Sequence, residues 1–85
     1  MKFRINREIL IREEEGKLIA FNPDRGEPFI LEGTAADIWR LLDEPRDLDE
    51  LLGKLLESYE EDNKARGDVK KFLDSLVGAG LLDVL

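Results

Sequence analysis

The chain has no cysteine and no histidine. Without cysteine it can build neither a disulfide framework nor a thiolate metal site. Without histidine it lacks the commonest metal ligand and the side chain that most often serves as a general base near neutrality. Most small catalytic sites are thereby excluded. Long apolar runs are missing too: stretches such as Ile9-Leu10-Ile11 fall far short of the roughly 20 residues needed to cross a bilayer. Met1-Lys2-Phe3-Arg4 leads into no signal-like apolar block. A soluble, cytoplasmic protein without membrane attachment is expected.

Positive charge is the minority. There are 13 Lys and Arg against 20 Asp and Glu, a net charge of −7, and the excess falls on the middle of the chain: residues 37–62 carry −7, residues 1–36 carry −1 and residues 63–85 carry +1. An acidic surface repels phosphate backbones, so nucleic-acid binding is disfavoured. Apolar residues make up 42% and charged residues 39%, with only three prolines, a composition that belongs to a folded domain. At 85 residues the chain forms a single domain, spanning 1–85, with a small core.

Arg7–Arg12 and Lys17–Phe21 are β-branched or aromatic runs separated by Glu13-Glu14-Glu15-Gly16, where Gly16 can supply positive φ. They predict a hairpin. Asn22-Pro23-Asp24-Arg25-Gly26 is a dense turn signal, and Pro28-Phe29-Ile30-Leu31 follows as a third strand. Pro28 lacks an amide donor, so it is tolerated mainly if this strand lies at a sheet edge or if its first residue is unpaired, which makes the strand a candidate free edge.

Three helices come next. Thr34 with Asp37 reads as a capping box, Ile38, Leu41 and Leu42 follow at helical spacing, and Pro45 closes the element. Asp47 and Glu50 repeat the cap pattern ahead of the stripe Leu48, Leu51, Leu52, Leu55, Leu56 and Tyr59. Glu60-Glu61-Asp62-Asn63 reads as a polar link. After Gly67, the positions Val69, Phe72, Leu73, Leu76 and Val77 mark the third helix, which Gly78 and Gly80 end before Leu81-Leu82 fold back on the core. The predicted fold is α+β and winged-helix-like: a three-stranded antiparallel β-sheet followed by three α-helices, βββααα.

The ordered set of hairpin, turn, short strand, Thr34-Ala-Ala-x-Ile-Trp-x-Leu-Leu-Asp43, a Leu-rich helix ending at Tyr59 and Asp68-Val69-x-x-Phe72-Leu73-x-x-Leu76-x-x-x-Gly80-Leu81-Leu82 resembles the PqqD family of pyrroloquinoline quinone biosynthesis. It departs from that family at Glu32, where Asn is frequent, and at Glu44-Pro45, where Leu-Asp is often followed by Gly. The resemblance implies a non-catalytic module or chaperone that binds the leader segment of a ribosomally made precursor peptide. It also implies a modifying enzyme as partner, often a radical-SAM protein, and no cofactor or metal.

In the family the groove lies between the third strand and the last helix. An edge strand offers unpaired N–H and C=O groups that an extended peptide can satisfy by strand addition. Phe29, Ile30, Leu31 and Glu32 would supply that edge. On a helical wheel Val69, Leu73 and Leu76 centre the buried stripe, Asp68, Lys71, Phe72, Ser75 and Ala79 fall on one flank, and Lys70, Asp74 and Val77 on the other. The first flank is taken as the wall of the groove. Lys64, Arg66, Lys70 and Lys71 make this end basic, and a helix N-terminus would add positive charge, which favours an acidic peptide segment.

Several residues have plainer expectations. Trp39 and part of Phe72 belong in the core, Asp68 suits the first turn of a helix, and Glu60-Glu61-Asp62 and Glu13-Glu14-Glu15 are solvated runs. Two other functions compete with peptide binding. One is a structural protein that forms a homodimer through its free sheet edge. The other is a winged-helix nucleic-acid binder, which would need a basic face.

Overall fold

The structure, a computed structural model, describes residues 1–55 and 63–85. The elements run β1 (Phe3–Ile5), β2 (Leu10–Glu14), β3 (Lys17–Phe21), β4 (Pro28–Leu31), α1 (Thr34–Leu41), α2 (Leu48–Leu55), α3 (Asn63–Gly78) and β5 (Leu82–Val84). The expected α+β arrangement is present, as an antiparallel sheet β2-β3-β4 followed by three helices. Two short strands add to it: β1 and β5 pair antiparallel in a separate two-stranded ribbon, Phe3 opposite Val84 and Ile5 opposite Leu82.

The hairpin β2-β3 is shifted from its predicted bounds. Glu8 N donates to Asn6 Oδ1 (2.9 Å) and Ile9 N to Asn6 O (3.2 Å), so Arg7 and Glu8 lie in a turn and the strand starts at Leu10. Glu13 and Glu14 are paired in the strand, opposite Leu18 and Lys17. The turn itself is Glu15-Gly16, with φ of 51° and 81°. Positive φ at both central residues is the requirement of a type I′ hairpin, whose twist matches that of the strands.

Antiparallel pairing puts opposite residues on the same face of the sheet, which sorts its side chains into two sets. Leu18, Ala20 and Leu31 point inward and are buried. They join Ala36, Ile38 and Trp39 of α1, Leu51, Leu52 and Leu55 of α2, and Val69, Leu73 and Leu76 of α3 in one core, completed by Phe3, Leu81 and Leu82 of the terminal segments. Trp39 and the Leu81-Leu82 pair are thus core residues, as expected. Each fully buried Leu contributes about 1.5–3 kcal/mol of transfer free energy.

Helix α1 begins without the expected capping box. Gly33 is the N-cap, with φ 60°, no side chain caps the helix, and Thr34 is already its first helical residue. Helix α2 has its box: Asp47 N donates to Glu50 Oε1 (3.1 Å) and Glu50 N to Asp47 Oδ1 (2.8 Å). The predicted end of that helix, Leu56 to Tyr59, and most of the polar link, Glu60 to Asp62, lie outside the described residues.

Helix α3 starts at Asn63, four residues before Gly67. Gly67 stands inside it at about 1 kcal/mol less stability than Ala would give, and Arg66 in the added turn is anchored to Asp49 of α2 at 2.6 Å. The helix ends in a Schellman turn: Leu81 N donates to Leu76 O (2.9 Å), Gly80 N donates to Val77 O (3.0 Å), and Gly80 takes φ 77°. The chain ends meet beside β1, where Leu85 N donates to Lys2 O (2.8 Å). The other side of β1 is held by a bridge from Phe3 to Arg46 in the α1–α2 connection.

Candidate functional site

The sheet has two outer strands, and the sequence treats them differently. On β2, Arg12 pairs with Glu14 (2.7 Å) and Glu13 with Arg40 of α1 (3.4 Å). Charged side chains of this kind blunt an edge against further pairing. On β4 the edge residues are Pro28, Phe29, Ile30 and Leu31, and no strand lies on its outer side among the described residues. Pro28 stands at the first position of this edge strand, where its missing amide does least harm.

The predicted edge residues have three distinct environments. Leu31 is a buried core residue and Phe29 is half-buried against the core. Ile30 points to the opposite face and is 64% exposed. Glu32 is exposed just past the strand, with Lys17 at 3.7 Å. Their side chains therefore do not form a single surface, and what they share is the β4 backbone.

The two flanks of α3 also separate. Arg66 and Lys70 border a depression shared with Met1, Phe3, Asp47, Leu48 and Asp49, and Lys70 Nζ is bound by both carboxylate oxygens of Asp74 at 2.7 Å. This flank faces α2 and the N-terminal strand. On the other flank Asp68, Lys71 and Ser75 are exposed, while Phe72 and Ala79 are half-buried against the core. Phe72 is partly core, as expected from its position beside the stripe.

Two electrostatic expectations change. Asp68 sits in the second turn of α3, because the helix begins at Asn63, so it meets no helix N-terminus. Arg66 and Lys70 are neutralised by Asp49 and Asp74, and the Lys64 side chain lies outside the described residues. Lys71 is left as the exposed cation beside Phe72. The basic patch that would favour an acidic peptide is reduced to that residue among those described.

The Gly80 carbonyl, in the turn that ends α3, accepts from Asn22 Nδ2 (2.8 Å) and from Asn6 Nδ2 (3.1 Å). Asn22 is 4% exposed, and its Oδ1 accepts from Asp24 N (2.9 Å) in the turn that leads to β4. A single carbonyl thus ties the C-terminal end of α3 to the β3–β4 turn. The turn residues at 22–26 were visible in the sequence, but their partner 58 residues away was not.

Among the described residues no cluster of three or more acidic side chains could hold a metal ion, and no helix is long and apolar enough to cross a membrane. An α+β domain with one charged edge, one open apolar edge and a helix tied to the end of that edge is a scaffold for docking an extended chain. The chain belongs to the PqqD family: the profile of coenzyme PQQ synthesis protein D matches residues 17–82. It is also similar in fold to a solved structure described as TbiB1 in complex with the TbiA(beta) leader peptide, with 22% identity, a TM-score of 0.84 and 96% of each chain covered. No curated protein matches the chain.

Proposed function

We propose that this protein is a non-catalytic recognition module, working in the cytoplasm, that binds the leader segment of a ribosomally made precursor peptide and presents it to a modifying enzyme. The observation that carries this reading is the unpaired edge of β4 in a chain of the PqqD family. The likeness in fold to a protein solved with a leader peptide supports it. The leader lies along Phe29–Glu32 as a fourth strand, so its backbone satisfies the free groups of β4 while alternate side chains meet the Asp68, Lys71, Phe72, Ser75 and Ala79 flank of α3. A radical-SAM enzyme is the partner class this family suggests. Paired or exposed charges contribute little here, about 0–1 kcal/mol each, so backbone pairing and apolar contact dominate affinity.

The test is a titration of isotope-labelled protein with the leader segment of a precursor encoded beside its gene, following backbone amide shifts. Saturable shifts at Phe29–Glu32 and along Asp68–Ala79 are expected. No shifts at excess peptide, with a dimer that dissociates on dilution, would replace this reading by self-pairing of the β4 edge.

A further inference from the structure

The hairpin turn fixes which backbone groups of β4 are free. Glu15 and Gly16 form a two-residue turn, with φ of 51° and 81°, so the flanking residues Glu14 and Lys17 are a hydrogen-bonded pair. Bonded and non-bonded pairs alternate along an antiparallel ladder. Arg12 with Ile19 and Leu10 with Phe21 are therefore bonded as well, and Lys17, Ile19 and Phe21 direct their N–H and C=O groups to β2. Leu18 and Ala20 are left to serve β4, where they face Leu31 and Phe29. Phe29 and Leu31 thus direct their backbone groups to β3, while Pro28, Ile30 and, one residue past the strand, Glu32 direct theirs to the open edge.

That edge is uneven. Pro28 has no N–H, so it presents a carbonyl alone. Ile30 presents both a donor and an acceptor. Glu32 presents both too, but Gly33 follows it at φ 60° as the N-cap of α1, and the chain leaves the sheet there. Proline at this point costs the β3–β4 ladder nothing, since Phe21 and Pro28 are a non-bonded pair. What it takes away is a donor to a fourth strand.

These residues decide where an added strand can sit. A slip of one residue would turn every peptide side chain to the opposite face. A slip of two toward the Asn22–Gly26 turn would centre the pairing on Pro28 and leave a peptide carbonyl without a donor. A slip of two the other way would centre it on Glu32, where β4 has already ended. We infer that Pro28 and Gly33 fix the register of the bound peptide, leaving Ile30 as the residue that exchanges both backbone bonds with it. The inference rests on the peptide-binding reading above. The peptide residue opposite Ile30 then lies on the outer face beside the Ile30 side chain, which is 64% exposed, and its two neighbours turn toward the Phe72 flank of α3. Recognition of this kind reads a peptide N–H at every second residue.

The experiment is a backbone N-methylation scan of the synthetic leader segment encoded beside the gene, with affinity for the full chain measured by calorimetry and repeated on Pro28→Ala. In the wild type, methylation of one residue, the partner of Ile30, is expected to weaken binding about tenfold or more, through a lost bond and an unpaired Ile30 carbonyl. Methylation of either neighbour, whose N–H points away from β4, is expected to leave affinity within about threefold. Pro28→Ala restores the missing donor and is expected to bind the unmodified leader about three- to tenfold more tightly. That gain should vanish with a leader truncated so that no residue faces position 28. A scan without a two-residue period overturns the inference and leaves peptide binding intact. So does a Pro28→Ala variant that keeps a native amide spectrum and binds the leader no more tightly than the wild type. The scan needs no variant, so it remains decisive if Pro28→Ala fails to fold. A wild type that does not bind the unmodified leader overturns the peptide reading and the inference together.

Discussion

Two asparagines share one acceptor, and that geometry makes a quantitative prediction. Asn22→Ala removes the 2.8 Å bond to Gly80 O and leaves the Asp24 amide, bonded at 2.9 Å to Asn22 Oδ1, without its partner. The expected loss is about 1–2 kcal/mol, the range for a part-buried hydrogen bond and an orphaned donor. Asn6→Ala removes the 3.1 Å bond to the same carbonyl, but the Glu8 amide it also frees is exposed to water, so about 0.5–1 kcal/mol is expected. In either single variant Gly80 O keeps one donor. In the double variant it has neither, and an additional penalty of about 1–2 kcal/mol for the unpaired carbonyl appears. The two changes should therefore be more damaging together than their separate effects predict. Urea unfolding followed by the fluorescence of Trp39, the single tryptophan and a buried one, reads all four corners of the cycle. For a domain of this size each kcal/mol also lowers the melting temperature by about 4–8 °C. Additivity within about 0.3–0.5 kcal/mol would refute the shared-acceptor argument.

Three further outcomes are expected. Gly67→Ala in α3, where an added Cβ meets nothing within 4 Å, should stabilise the protein by about 0.5–1 kcal/mol, seen as a higher urea midpoint. Glu15, held at φ 51° in the hairpin turn, is under strain that Asn tolerates better, so Glu15→Asn should raise stability by about 0.5–1 kcal/mol in thermal unfolding. Phe72→Ala and Val77→Ala both trim half-buried side chains on α3 and should both reduce stability, but only Phe72→Ala should also weaken leader binding, by about tenfold or 1.4 kcal/mol, in a calorimetric titration. Equal effects of the two on binding would remove the Phe72 flank from the site.

The central sheet and the three helices were legible because each depends on signals local to it. Period-2 runs, the Asn22–Gly26 turn and the leucine spacing of α2 and α3 each fall within a few residues. Pro28 marked β4 as an edge for the same kind of reason. Features that depend on distant partners were not legible. β1 and β5 are three residues each, too short for alternation to register, and they pair because burial of Phe3 and Leu82 in the core brings together segments 79 positions apart in sequence, with Arg4 opposite Asp83. Thr34 and Asp37 have the spacing of a capping box, but Gly33 at φ 60° takes the cap position at the start of α1 and makes Thr34 helical. Gly67 carries a boundary signal, yet α3 starts four residues earlier, and the tie from Arg66 to Asp49 that helps hold the earlier turn is tertiary. The β4 edge and the half-buried setting of Phe72 were readable from pattern, while the Asn22–Gly80 tie needed three dimensions.

The pairing of β1 with β5 has a topological consequence. With Leu85 N bonded to Lys2 O and Phe3 bridged to Arg46, the first and last residues are neighbours on one ribbon. The backbone is therefore a nearly closed ring in space, with a gap that a short linker can span. A chain joined across that gap and reopened at the exposed Glu15-Gly16 tip keeps the same core and the same β4 edge while reading its elements in a rotated order. The architecture thus records which segments touch, and the order in which the chain visits them is a separate and exchangeable property.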